Sequence, residues 1–139
     1  MSAIGKNTKV LDRQVFAADQ IIFREGKPGS AAYVVQEGRV EIYKTLKDNA
    51  EVVLGVIEAG GLFGELALID DEPRMASARA KDRTVVIAIS RRQFEHKMQS
   101  SDRFIQAILR ILLSNYRSVV RRAAKVEDKL QKSGLRLDD

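Results

Sequence analysis

The sequence predicts a mainly β domain that is followed by a short helix and then a long helix. Three observations lead to this fold class. From about residue 13 to 90, six to eight short apolar segments recur roughly every 8–12 residues between turn signals, which is typical of a β-sandwich or barrel. After Ser90 the apolar spacing changes to three and four residues. Residues 103–132 then carry the pattern of one long amphipathic helix.

The strand segments are rich in β-branched and aromatic residues. They lie at 14–17, 21–23, 32–36, 39–45, 51–57 and 84–89, and Gly55 interrupts the fifth. Turn signals separate them at 25–29, 37–38, 48–49 and 59–61, where Gly, Pro, Asp and Asn concentrate. We therefore expect hairpin-like connections through most of this region.

Capping patterns mark the start of each predicted helix. Ser90 and Gln93 fit a capping box, which predicts a short helix to about residue 99. Ser100-Ser101-Asp102 is a second start signal, and Ser133-Gly134 ends the long helix.

The composition excludes several kinds of site. The 139-residue chain suits one domain, with 45% hydrophobic and 31% charged residues. Because it has no cysteine and a single histidine, His96, we expect no metal, haem or Fe–S cluster. It contains no apolar run near the ~18 residues of a membrane span and no signal-peptide pattern. We therefore expect a cytoplasmic protein without a transmembrane segment.

The net charge of +5 comes from the C-terminal quarter. Residues 1–102 hold 15 basic and 15 acidic side chains, whereas residues 103–139 hold 9 basic and 4 acidic ones. This excess can mark a surface for nucleic acid or an acidic partner, or simply a solvated helix face.

The long helix has an apolar stripe with alternating spacings of four and three residues, which is typical of a two-helix seam. We therefore expect a homodimer through residues 104–132, in which Arg122 of one copy can meet Glu127 of the other. The alternative is a helix folded back on its own chain. The stripe consists of Ile105, Leu109, Leu112, Tyr116, Val119, Ala123, Val126 and Leu130.

Residues 60–78 break the strand rhythm and are the part of the chain that can carry chemistry. Gly64 allows close backbone approach, and residues 65–69 can form a short helix with free N–H groups at its start. Arg74 follows a proline in extended backbone, and a guanidinium matches phosphate oxygens. Glu65 can accept hydrogen bonds from sugar hydroxyls. The residues thus indicate a phosphorylated, hydroxyl-bearing ligand, unless Arg74 pairs with Asp70 or Asp71 and Glu65 is solvated.

Two runs in this segment resemble a known motif. FGELAL at 63–68 and PRMA at 73–76 resemble the phosphate-binding cassette of cyclic-nucleotide-binding domains. That family includes protein kinase A regulatory subunits, cyclic-nucleotide-gated channels and bacterial catabolite activator proteins. The upstream run IFREG at 22–26, Gly29, YVV at 33–35 and Gly38 also fit. The resemblance covers about residues 14–115.

The resemblance implies a double-stranded β-helix, or jelly-roll-like β-roll, of eight strands around one cyclic nucleotide. Arg74 would pair with the cyclic phosphate and Glu65 would accept the ribose 2′-OH. Backbone N–H groups around Gly64, Leu66 and Ala67 would complete the anion site.

The resemblance also bears on the choice of base. Met75 stands where cGMP-preferring members often carry threonine and offers no hydroxyl to guanine, so cAMP is expected. Ser77 is a further candidate hydroxyl. In the family the C-terminal helix can cap the base, and the candidates here are Leu112, Asn115, Tyr116, Val119 and Arg122.

These inferences divide the chain into four parts: a flexible lead at 1–12, a β-roll core at 13–100 with the cassette at 61–78, the long helix at 101–132 and a tail at 133–139. The resemblance leaves the family's helices before the first strand unmatched, and we expect no DNA-binding domain after the long helix. We expect a standalone module or a piece of a longer protein, with an unidentified effector.

The expected function is non-catalytic cyclic-nucleotide sensing in which the C-terminal helix rearranges on binding. One alternative is a ligand-free scaffold that acts through the long helix. A second alternative is a nucleic-acid or membrane binder, but the basic helix has no aromatic residues between its basic ones apart from Tyr116. A third is a metal-dependent β-barrel enzyme, which conflicts with the single histidine.

Overall fold

A computed structural model of the protein describes residues 12–132. The predicted tail at 133–139 and most of the predicted lead lie outside these residues, while Asp12 already belongs to the first strand. The chain divides into two compact units, one ending at His96 and one beginning at Lys97.

The first unit contains eight strands, as the β-roll expectation requires. They form two four-stranded sheets with the orders β1-β8-β3-β6 and β2-β7-β4-β5, and every strand pair is antiparallel. The strands are β1 (Asp12–Phe16), β2 (Ile21–Phe23), β3 (Ala31–Glu37), β4 (Val40–Thr45), β5 (Glu51–Ile57), β6 (Leu62–Phe63), β7 (Ser77–Ala80) and β8 (Thr84–Ser90).

The core joins the two sheets. Val35, Phe63 and Val86 come from the first sheet, and Val40 and Ala78 come from the second. All five are at most 2% exposed. Their inward placement follows from the alternation of side chains along each strand, which lets one face of each sheet bury its apolar residues.

The hairpin between β4 and β5 confirms the predicted turn and adds a bulge. Asn49 adopts a φ of 67° and the Asp48 carboxylate accepts a hydrogen bond from the Ala50 N–H at 3.0 Å, which closes the turn predicted at 48–49. Ile42 pairs with Gly55 and Tyr43 with Val53, so Leu54 is an extra residue in a β-bulge. Gly55 itself pairs with Ile42, so the strand continues through the glycine that interrupts the β-branched run in the sequence.

Two strands are absent from the segments predicted by local patterns, and they form the two ends of the cassette. β6 has only two residues, too few to show a period, and pairs with β3 through Tyr33 and Phe63. β7 reads Ser-Ala-Arg-Ala, which lacks β-branched residues, yet it lies between β2 and β4. Tertiary pairing overrides weak local preference here. Both ends of the cassette are thereby anchored in the sheets.

The helices have the predicted starts. In α1 (Arg91–Gln99), the Gln93 N–H donates to Ser90 Oγ and the Ser90 N–H donates to Gln93 Oε1, both at 3.0 Å. This is the predicted capping box. In α2 (Arg103–Lys132), the Phe104 N–H donates to the Asp102 carboxylate at 2.8 Å.

Most of the predicted seam is exposed on α2, and so are Phe104, Ile108 and Ile111 of the same helix. Ile105, Leu112, Tyr116, Val119 and Val126 are between 43% and 62% exposed, whereas Leu109 is half-buried. The side chains of Glu127 and Leu130 lie outside the described residues. Within the described residues, no helix is both long enough and apolar enough to cross a membrane.

Candidate functional site

The segment between β6 and β7 forms the predicted short helix. Gly64 adopts a left-handed conformation with φ 69° and is followed by a 3-10 helix at Glu65–Leu68. Glycine suits this position because it has no Cβ to strain the backbone. The Ala67 N–H donates to the Gly64 carbonyl at 3.2 Å. An anion that used the Ala67 amide would therefore share it with this turn.

Arg74 lies at the centre of the segment. Its side chain is buried, with only 9% of the residue exposed. Nη1 donates to the Gly64 carbonyl at 3.3 Å and Nη2 donates to the Ala31 carbonyl at 2.8 Å. Nε is buried and has no hydrogen-bond partner among the residues described. Arginine has five N–H donors, so the guanidinium retains capacity for an acceptor.

No carboxylate pairs with Arg74 in the described part of the chain. The alternative that Arg74 pairs with Asp70 or Asp71 is therefore not what the structure shows. Asp71 instead forms an ion pair with Arg91. Arg74 is thus a buried cation whose positive charge is not matched by a carboxylate of residues 12–132 as far as the structure describes them.

Burial and aromatic rings set the electrostatics of Arg74. Loss of solvation lowers the pKa of Arg74, because burial disfavours the charged form. An arginine still remains charged at neutral pH. Its Cζ lies 4.0 Å from the centre of the Phe23 ring and 5.9 Å from that of Tyr33. A buried, permanent cation of this kind favours an anionic ligand.

The main chain of Arg74 is held by the β2–β3 turn. The Gly26 N–H donates to the Arg74 carbonyl at 2.8 Å, and the Arg74 N–H donates to the Lys27 carbonyl at 3.0 Å. The Glu25 N–H donates to Ser77 Oγ at 2.9 Å. The turn predicted at 25–29 therefore braces the arginine from a distant part of the sequence.

The structure brings only some of the predicted residues together. Gly64 contacts Arg74 directly, and Glu65 and Leu66 follow Gly64 as half-buried residues of the 3-10 helix. Met75 is half-buried next to Arg74 in the chain. Ser77 is 5% exposed and its hydroxyl accepts from the β2–β3 turn, so it has a structural partner.

The candidate base-capping residues lie on α2, in the second unit. All of them are exposed there, so their side chains are accessible on the helix surface. They are Leu112, Asn115, Tyr116, Val119 and Arg122. Their role toward the cassette stays a prediction.

Sequence reasoning missed three residues around the site. Phe23 and Gly29 lie in the upstream segment that fits the family pattern, but they contact Arg74 from more than forty positions away, so no local pattern assigned them to the arginine. Arg91 donates to the Ala67 carbonyl at 2.8 Å, to the Asp70 carbonyl and to the Asp71 carboxylate. The only signal for Arg91 in the sequence was its position directly after the predicted N-cap Ser90, at the start of the short helix. Arg91, the first residue of α1, thus connects the end of the 3-10 helix to the start of α1.

The described residues include no group of three or more His, Asp or Glu side chains placed to hold a metal ion. The donor set at Arg74 consists of N–H groups, which bind anions and repel cations. The site geometry therefore points to a phosphate-type ligand.

Comparison with known proteins supports this interpretation. Residues 13–101 match the model of the cyclic nucleotide-binding domain. A cAMP-dependent protein kinase regulatory subunit of Emericella nidulans is 38% identical over 91 residues, which are 66% of this chain and 21% of that protein. A CRP-like cAMP-activated global transcriptional regulator of Mycobacterium tuberculosis is 28% identical over 116 residues, 84% of this chain and 52% of that protein. The chain thus spans about a fifth to a half of these relatives.

The fold is also similar to that of a solved protein with a bound cyclic nucleotide. The cAMP-bound form of an EAL enzyme aligns with a TM-score of 0.63 at 36% identity, covering 87% of this chain and 32% of that one. Its cGMP-bound form aligns with a TM-score of 0.65 at 34% identity, covering 88% and 32%. The domain match, these likenesses and the buried, unpaired arginine in the cassette agree: the chain belongs to the cyclic nucleotide-binding domain family.

Proposed function

We propose that the protein binds cAMP at the cassette and acts as a non-catalytic, cytoplasmic sensor module. Arg74 pairs with the cyclic phosphate, Glu65 accepts a hydrogen bond from the ribose 2′-OH, and the amides at Gly64 and Leu66 add donors to the phosphate. The site needs no metal for this role because the guanidinium supplies the counter-charge.

One observation carries the proposal: Arg74 is a buried cation that no described carboxylate neutralises. Burying an unpaired charge is costly, and proteins normally pair such a group. A ligand phosphate supplies the missing charge and accepts hydrogen bonds from the guanidinium. A decayed pocket in a scaffold protein has no physical reason to retain this arrangement.

The preference for cAMP rests on Met75. Met75 is half-buried, follows Arg74 in the chain and has no hydroxyl to offer a guanine base. The relatives are named for cAMP, whereas the EAL enzyme is known in both cAMP-bound and cGMP-bound forms. We therefore expect weaker but measurable binding of cGMP.

The output of the module is assigned to α2. Its exposed stripe pairs with a second copy, and ligand binding changes the position of this helix, which an effector protein then senses. A ligand can shift such an equilibrium only if the two helix arrangements differ in their affinity for it.

The test is calorimetric titration of the purified protein with cAMP, cGMP and 5′-AMP, with thermal unfolding measured in parallel. We expect the affinities to rank cAMP above cGMP and cGMP above 5′-AMP, and cAMP to raise the melting temperature. Folded protein that binds none of the three would contradict the proposal and favour the scaffold alternative.

A further inference from the structure

The guanidinium of Arg74 rests on an aromatic platform. Phe23, Tyr33 and Phe63 form a ring cluster with centroid separations of 5.2–5.9 Å. Arg74 Cζ lies 4.0 Å from the Phe23 centroid, well within the ~6 Å range of a cation–π contact. Tyr33 contributes at 5.9 Å. Phe23 is therefore the ring in closest contact with the cation.

The other contacts of Arg74 restrain its ends but do not neutralise it. Two backbone carbonyls accept from Nη1 and Nη2, and Nε has no partner among the described residues. A carboxylate in the same place would hold the guanidinium more firmly. However, it would also compete with a phosphate for the same donors. The face of an aromatic ring attracts a cation while leaving its N–H groups available.

We propose that Phe23 is a positioning residue for the ligand phosphate: its ring holds the Arg74 guanidinium in place where a carboxylate would otherwise be needed. This inference rests on the proposed function of Arg74 and adds to it a specific partner. The ring lowers the cost of ordering a flexible side chain before the ligand arrives, which is a gain in affinity through preorganisation.

The variant that tests this is Phe23→Leu, which keeps an apolar side chain and removes the ring. Phe16→Leu is the matched control. Phe16 is likewise partly buried against the same core cluster, and the described residues show no cation–π contact to it. We expect Phe23→Leu to weaken cAMP binding about tenfold and Phe16→Leu to change it less than about twofold. Phe23→Tyr, which retains a ring, should restore most of the affinity.

A double-mutant cycle separates positioning from general loss of structure. In an Arg74→Ala background the platform has no cation to hold, so Phe23→Leu should cause no further loss of affinity. Fluorinated phenylalanines at position 23 preserve the ring shape while weakening its attraction for cations. Affinity should fall with each added fluorine, which a purely steric role would not produce. These variants also replace Phe23→Leu if it fails to fold.

The results distinguish this proposal from the proposed function. If wild-type protein binds cAMP but Phe23→Leu behaves like Phe16→Leu, the platform is wrong and the sensor assignment stands. If wild-type protein binds no cyclic nucleotide, the same cycle is measured by urea unfolding of the free protein. If the stability losses of the Phe23 and Arg74 variants are not additive, the two side chains interact and the aromatic platform is supported. Additive losses of stability would overturn it.

Discussion

Gly29 and Arg74 are in such close contact that any side chain at position 29 would have to displace the guanidinium. A Cβ built on Gly29 would lie within 2.6 Å of Nε, Nη2 and Cζ of the guanidinium. The requirement is one of space, because the φ of Gly29 lies outside the left-handed range. The β2–β3 turn thus covers the arginine with its backbone and simultaneously bonds to the main chain of Arg74.

The first prediction follows from this contact. Gly29→Ala should displace the flexible Arg74 side chain and weaken cAMP binding by about tenfold or more, comparable with losing a charge-assisted hydrogen bond. Stability should change by less than about 1 kcal/mol, since alanine also restricts the unfolded chain. Calorimetry and urea unfolding measure the two effects.

Gly55→Ala serves as the control for Gly29→Ala, because nothing lies within 4 Å of its added Cβ. It should leave affinity unchanged. Equal affinities for the two alanine variants would show that Arg74 tolerates the displacement.

The next prediction tests whether the Ser77 hydroxyl stabilises the fold or binds the ligand. Its Oγ accepts the Glu25 N–H at 2.9 Å in a buried setting. Ser77→Ala leaves this amide without its acceptor and should reduce the free energy of unfolding by about 1–2 kcal/mol. Chemical denaturation measures the loss. Unchanged stability with markedly weaker cAMP binding would instead assign the hydroxyl to the ligand.

Glu65 is tested most directly with a modified ligand. Glu65→Ala should weaken cAMP binding by about 1–3 kcal/mol through the loss of one hydrogen bond to the ribose. The 2′-deoxy analogue of cAMP has no hydroxyl to donate, so wild type and variant should bind it equally. A similar loss of affinity for both ligands would reject the assignment of Glu65 to the 2′-OH.

The exposed stripe of α2 predicts a dimer in solution. Val119 and Val126 are 62% and 55% exposed, and Val119→Asp with Val126→Asp would place carboxylates in the seam. Sedimentation should then give the monomer mass. The control, Ser114→Asp with Ser118→Asp, adds the same charges at exposed positions beside the seam and should remain dimeric. A dimer that persists in the seam variant would argue against this interface.

Local patterns in the sequence predicted most of the fold. The capping residues Ser90 and Asp102 act within three residues of their partners, so both helix starts were correct. The two short strands that flank the cassette were missed because their pairing with distant strands, rather than their own residues, makes them strands.

The candidate site was predicted less completely. The cassette motif identified Arg74 and the helical turn after Gly64. Phe23 and Gly29 contact Arg74 across 51 and 45 positions of the chain. Spacing patterns within one segment cannot predict contacts between residues so far apart. Both residues belong to the upstream segment that fits the family pattern, but their contact with Arg74 is seen only in the folded structure.

The most direct test of the account is the cAMP affinity of Arg74→Ala compared with wild type, measured by calorimetry on protein shown to be folded. Removing the guanidinium deletes the charge that faces the phosphate, and we predict a loss of about 2–5 kcal/mol in binding free energy. Affinity close to that of wild type would contradict the assignment of Arg74 to the phosphate and, with it, the proposed site.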